Sequence, residues 1–254
     1  MAKTSTIGNV VSAVGGAFGA AFSSITVTIP VVLLMGFVAA SADYALFHYL
    51  GGGATNDQGT LIKVMLAWTG VALLQEIFLG PLVGAIAVYL GRLHSAGQSA
   101  GLYDAVNFGI GRYGRLFVPR LIAQLSIQIG LVLLLFPGII YISMYAFVDS
   151  VACLEQKVWP LDRSKALTRG RRGSIVLIYL PVAIAMQAVA LLELWALEHG
   201  VLALGLVFSG VYLVFFLINI SFYKLYEGRT VALAASKAEQ PAAAPPAAAP
   251  ATDT

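Results

Sequence analysis

The sequence predicts an all-α fold: a polytopic membrane helix bundle of about six transmembrane helices with added interfacial amphipathic helices. Three observations carry this. First, several separate apolar runs reach bilayer length. The clearest, Val201 to Tyr223, reads VLALGLVFSGVYLVFFLINISFY and holds no charge. A hydrocarbon core about 30 Å thick takes ~20 apolar helical residues to cross. Second, the chain is 59% hydrophobic and only 11% charged, with a mean hydropathy of +0.86. A soluble domain carries about 25% charged residues, so water is not the solvent for most of this surface. Third, Lys and Arg fall in clusters between the apolar runs, which is a topology signal.

In chain order, residues 1–24 read as an N-terminal interfacial helix, because Ile7, Val10, Val14, Phe18 and Phe22 share one helical face. Residues 25–230 form the transmembrane bundle, with spans at about 26–47, 62–90, 116–135, 139–154, 175–192 and 201–223. Ala40-Ser41-Ala42 resembles a signal cleavage site but lies too far from Lys3, so the first run is expected to be a retained span. The second run contains Gly80-Pro81 and is either one kinked helix or two half-spans. Phe136-Pro137-Gly138 divides the third and fourth spans. Its Pro fixes φ and its Gly accepts left-handed geometry, which suits a tight outer hairpin. The fourth span is short, so a re-entrant hairpin is the alternative. In LDRSKALTRGRRG, Asp162 is expected to cap a short helix that Gly170 and Gly173 close. Residues 231–254 are Ala/Pro-rich and read as a disordered cytoplasmic tail.

Three stretches share a layout: Ile7–Ser24, Leu102–Phe117 and Pro160–Gly173 each lead into a pair of spans, with Pro30, Pro119 and Pro181 near the span starts. This is either a threefold parallel repeat of interfacial helix plus hairpin or a coincidence of layout. The basic clusters (Arg92 to Arg120, Lys157 to Arg172, Lys224 to Lys237) fall on one side of a six-span bundle together with Lys3. The positive-inside rule makes that side cytoplasmic, with both termini. The location expected is the bacterial cytoplasmic membrane.

From Ala96 onward the features also resemble a family. The segment YDAVNFGIGRYGRLF, the span end FPGII, the stretch LEQKVWPLDRSKALTRGRRG and the closing FYKLYEGR together resemble the bacterial six-helix proteins similar to the membrane domain of glycerophosphodiester phosphodiesterases, with the related YciC-like envelope proteins. The resemblance covers about residues 96–229 and implies a fold and a location, without a catalytic residue. The phosphodiesterase barrel itself is not expected in these residues.

The candidate site residues follow from bilayer energetics. Glu76, in LLQEIFLGP, and Asp149, in YAFVDSVAC, are acids inside apolar runs. A charge centred in a bilayer costs at least about 2.5–3.5 kcal/mol, so such groups pair, protonate or face the bundle interior. Arg120, Gln124, Gln128 and Gln187 are the partners within reach. Two accounts compete: an ion or proton path, and interhelical bonding that holds the bundle at about 0.6–2 kcal/mol per contact. Arg112, Arg115, Arg163, Lys165, Arg169, Arg171 and Arg172 are candidate contacts for anionic lipid, at about 1 kcal/mol each, against a purely topogenic role. Gly80, Gly84, Ala87 and Gly91 line one helix face, a small-residue stripe for close packing. The single cysteine, Cys153, excludes an internal disulfide and reads as a buried thiol.

No catalytic, cofactor or metal motif is present: no serine elbow, phosphate loop or zinc helix. The sequence therefore favours a non-enzymatic scaffold in contact with membrane lipids, including anionic phospholipids, with protein partners unidentified and no nucleic acid. The alternative is a transporter or channel using Glu76 as coupling residue, and an intramembrane lipid enzyme ranks third.

Overall fold

The computed structural model describes residues 6–49, 58–133 and 135–238. They form helices α1 (Thr6–Ser23), α2 (Ile25–Tyr49), α3 (Gln58–Phe78), α4 (Gly80–Ser95), α5 (Leu102–Leu133), α6 (Leu135–Tyr145), α7 (Val148–Leu154), α8 (Pro160–Thr168), α9 (Arg172–His199) and α10 (Val201–Ala238). The fold is all-α, as the apolar runs predict, with no strand among the described residues.

The chain traverses the bundle six times, as α2, α3–α4, α5, α6–α7, α9 and α10. Close approaches fix the directions. The α2 and α10 backbones meet antiparallel: a Cβ on Gly36 would strike Ser209, and one on Gly205 would strike Phe37. The α5 and α6 backbones meet at Gly130 and Gly138. The α4 and α10 helices run the same way, with Gly91 against Tyr223 and Ser95 against Glu227. One end of the bundle, here the near end, therefore holds α1, the end of α4 and the start of α9. The far end holds the ends of α2, α5 and α9.

Four helical segments are long and apolar enough to cross a membrane: α1, α2, Phe136–Leu154 and the α10 helix from Val201 to Ala235. The pair Thr69–Phe78 and Gly80–Ser95, bent by 42°, makes a fifth. Large apolar side chains stay on the outside of the bundle, among them Leu34, Ile129, Ile184, Leu202 and Leu206. A soluble monomer does not leave such a surface open, so the chain is a multi-pass membrane protein.

The first helix has the length to span, but its contacts lay it across the near end. A Cβ on Gly173 would sit 3.8 Å from Thr6 Cγ2, one on Gly16 would sit 3.4 Å from Lys224 Cε, and one on Gly19 would sit 3.0 Å from His94 Nε2. Its small side chains, Ala13, Ala17, Ala20 and Ala21, face the bundle. Ile7, Val11, Phe18 and Phe22 face outward. The exposed stripe therefore includes Val11 in place of the expected Val10 and Val14, which pack against the core.

The second run bends by 42° at Leu79, one residue before Gly80-Pro81 and within the alternatives expected there, because Pro81 cannot donate to the preceding turn. Other expectations change. Leu102–Phe117 and the third span form one unbroken 32-residue helix, with Pro119 inside it. Nothing in GIGRYGRLFVPR supplies a stop strong enough to end the apolar periodicity. The fourth span breaks instead, at Ala146-Phe147. There Ser164 of α8 serves both loose backbone groups: Phe147 N donates to Ser164 Oγ at 3.2 Å, and Ser164 Oγ donates to Met144 O at 2.7 Å.

Gly138 is helical within α6, so it serves the close approach to Gly130 and not a left-handed turn. Pro160 opens α8 and Trp159 is its N-cap, without a side-chain bond. Asp162 falls in the first turn, where its charge suits the helix dipole. Gly170, at φ +82°, makes the turn after α8, whereas Gly173 belongs to α9. Residues 231–238, expected in the tail, continue α10, and the remainder of the tail lies outside the described residues.

Candidate functional site

One guanidinium ties three helices together in the bundle interior. From α5, Arg120 Nη2 donates to Glu76 Oε1 of α3 at 2.6 Å, and Arg120 Nη1 donates to Asp149 Oδ2 of α7. All three side chains are largely buried, at 15%, 25% and 12% exposure. Both suspicious acids thus share one partner, and their charges exceed its charge by one. A planar guanidinium can hold two carboxylates at once, which an ammonium does less well. Buried ions of this kind persist only when hydrogen-bonded and paired.

The small-residue stripe on α4 makes the room. A Cβ on Gly80 would lie 2.8 Å from Arg120 Nε and 2.9 Å from Glu76 Oε1, and one on Gly84 would overlap Asp149 Oδ2. Glycine is needed there because the charged groups occupy the side-chain space. Ala87 is fully buried, and Gly91 accommodates the Tyr223 ring in the same way. The stripe serves intramolecular packing.

The triad lines a cavity of about 590 Å³. The cavity runs from Asn219 and Phe222 past the triad and along Gln124 and Gln128 to Asp43 and Glu193, near the far ends of α2 and α9. Gln75 also lines it, and its Nε2 donates to Ala39 O at 3.1 Å. Among the described residues the charged lining consists of four carboxylates, Asp43, Glu76, Asp149 and Glu193, and one guanidinium, Arg120. Tyr179 and Tyr212 add aromatic walls. Gln124 and Gln128 reach the cavity, and the acids take Arg120 as partner instead of either amide. The Gln187 side chain lies outside the described residues. Asp43, Glu193 and Asn219 are additions that sequence reasoning missed. The signal for Asn219 was an amide inside an otherwise apolar run.

The candidate lipid contacts divide into two groups. Arg163 Nε pairs with Glu155 Oε2 at 2.8 Å, while Tyr226 donates to Glu155 Oε1 at 2.9 Å and Arg115 donates to the Glu155 carbonyl. Arg112 lies over the Phe108 ring at 5.7 Å and Lys165 over Tyr145 at 5.8 Å. Arg115, Arg163 and Lys165 thus tie α5, α6 and α8 to one another and to Glu155 at the end of α7, where Tyr226 of α10 also bonds, whereas the Arg112 contact stays within α5. Arg169 and Arg172 are exposed and Arg171 is half-buried, and none of them forms an ion pair among the described residues. Burial, with Arg229 beside it, holds the Arg171 guanidinium below its ordinary range. Cys153 is buried at 1% exposure. Among the described residues no group of three or more His, Cys, Asp or Glu is placed to hold a metal.

No family model matches the chain, and neither does any curated protein or solved structure.

Proposed function

We propose that the protein is a non-enzymatic, multi-pass protein of the bacterial cytoplasmic membrane, with both termini inside, that admits a small cationic solute into its intramembrane cavity. The observation that carries this reading is the lining of the cavity: among the described residues, four carboxylates stand against a single guanidinium. Low-dielectric walls focus such a field and concentrate cations. Ionisable groups kept inside a membrane are a default pointer to a solute or proton path. Glu76 is the coupling residue in this reading. A cation that competes with Arg120 for its carboxylate loosens α3 from α5, so occupancy and helix packing are linked.

The test uses purified protein in proteoliposomes offered small organic ammonium ions. Uptake in the native protein, lost in Glu76→Gln with the fold retained, supports the reading. Equal uptake by native protein and empty vesicles across the set contradicts it.

A second reading, a scaffold in contact with anionic lipid, is favoured by a different observation. The basic residues without internal partners gather at the near end, beside the outward apolar stripe of α1. An interfacial helix with cationic neighbours binds where headgroups and acyl chains meet. The resemblance to the six-helix envelope proteins points the same way. Neutralising Arg169, Arg171 and Arg172 together should weaken retention of anionic lipid, and unchanged retention would count against this reading.

A further inference from the structure

The near end holds an arginine, Arg229, whose side chain forms no ion pair among the described residues. Arg229 Nε is buried and has no hydrogen-bond partner. A guanidinium carries a permanent charge and five donors and accepts nothing, so a buried N–H on it calls for an acceptor. The position of Arg229 follows from its neighbours. Leu225 and Leu233, one helical turn to either side on α10, join a core cluster with Val10 and Val14 of α1, Leu167 of α8 and Ile175 of α9. Arg229 lies on the same helix face, and because α9 and α10 pack on each other and are joined at Gly200 at the far end, this part of α10 lies level with the start of α9, next to Arg171. Burial first, and the charge of Arg229 second, disfavour the charge on Arg171. Neither guanidinium forms an ion pair among the described residues, which leaves both charges open to an anion.

The space beside them is open. Gly170, in that turn at φ +82°, has nothing within 4 Å of where a Cβ would stand. Arg169 and Arg172 flank it and are exposed. Thr6, at the start of α1, reaches Gly173, so the outward apolar stripe of Ile7, Val11, Phe18 and Phe22 begins at the same place.

We propose that Arg171 and Arg229 hold the phosphate of one anionic phospholipid, whose acyl chains lie along the outward face of α1. Two guanidiniums give a phosphate charge-assisted, bidentate donors. The adjacent apolar stripe selects a phosphate that carries hydrocarbon over a free one. The inference rests on the second reading above, that the near end contacts anionic lipid, and narrows it to one headgroup site.

The test is native mass spectrometry of the full-length protein released from detergent, titrated with phosphatidylglycerol, with phosphatidylcholine of the same chains, and with glycerol 3-phosphate. The expected result is one tightly retained phosphatidylglycerol, lost at least about tenfold in Arg171→Gln/Arg229→Gln and lowered only a few-fold in Arg169→Gln/Arg172→Gln. Arg171→Gln alone, at a half-buried position, should show most of the loss if the double variant fails to fold. Arg171→Lys should recover part of it. If the Arg171/Arg229 variants retain lipid while neutralising Arg169 and Arg172 abolishes retention, the lipid reading stands and this site is wrong. No preference for phosphatidylglycerol over phosphatidylcholine overturns both. Glycerol 3-phosphate bound as tightly as the lipid assigns the site to a soluble phosphate and overturns the lipid proposal.

Discussion

Gly84 and Asp149 are matched: the space where residue 84 would carry a Cβ is filled by the carboxylate of residue 149. The glycine stripe of α4 and the ion triad are therefore one feature, in which absent side chains on one helix house the charged side chains of three others.

Gly84→Ala should destabilise the bundle by about 1–3 kcal/mol, the usual cost of forcing volume into a packed interior. Gly210→Ala is the control, because nothing lies within 4 Å of its Cβ position. Alanine there should gain about 0.5–1 kcal/mol from helix propensity. Thermal unfolding of both variants in the same detergent checks the opposite signs.

Arg120→Met should cost about 3–5 kcal/mol, since it leaves Glu76 and Asp149 buried without their counter-ion. Adding Glu76→Gln and Asp149→Asn should recover most of that loss, because the neutral triple variant has no unpaired charge. A triple variant less stable than Arg120→Met would break the account of the triad.

Ser164→Ala should cost about 1–3 kcal/mol, because it strips the acceptor from the buried Phe147 N–H at the α6–α7 break. Faster hydrogen exchange at Phe147, with α2 and α10 unchanged, is the local signature to look for.

Gly170→Ala should cost about 1–2 kcal/mol for an L side chain at φ +82°. The effect should show in the turn between α8 and α9, measured as increased proteolysis there, while Gly173→Ala, inside α9, should be near neutral.

The sequence made the bundle legible because crossing a bilayer demands uninterrupted apolar length. The 23 residues of Val201–Tyr223 satisfy that demand without help from neighbours. It also exposed Glu76 and Asp149, since an acid in an apolar run is conspicuous, and it offered Arg120 as a partner. What it hid depends on three-dimensional packing. Asp43 and Glu193 lie near the ends of α2 and α9, where a charge draws no notice in sequence, yet both reach the cavity. The break at Ala146-Phe147 has no glycine or proline to announce it. It is set by Ser164, seventeen residues from Phe147. The seven basic residues at the near end looked equivalent by charge, and only their contacts separate Arg115, Arg163 and Lys165, which join helices, and Arg112, which lies on a ring of its own helix, from Arg169, Arg171 and Arg172, which form no ion pair among the described residues.

The most direct test of the central claim, a cavity that favours cations, is the modification rate of a cysteine placed in it. Gln124→Cys sits on the wall, and the native Cys153 is buried and gives a quiet background. The account predicts that a cationic methanethiosulfonate reacts at least about tenfold faster than an anionic one of similar size, and that Asp43→Asn with Glu193→Gln removes much of the difference. Equal rates for the two reagents, or faster reaction of the anion, would contradict it.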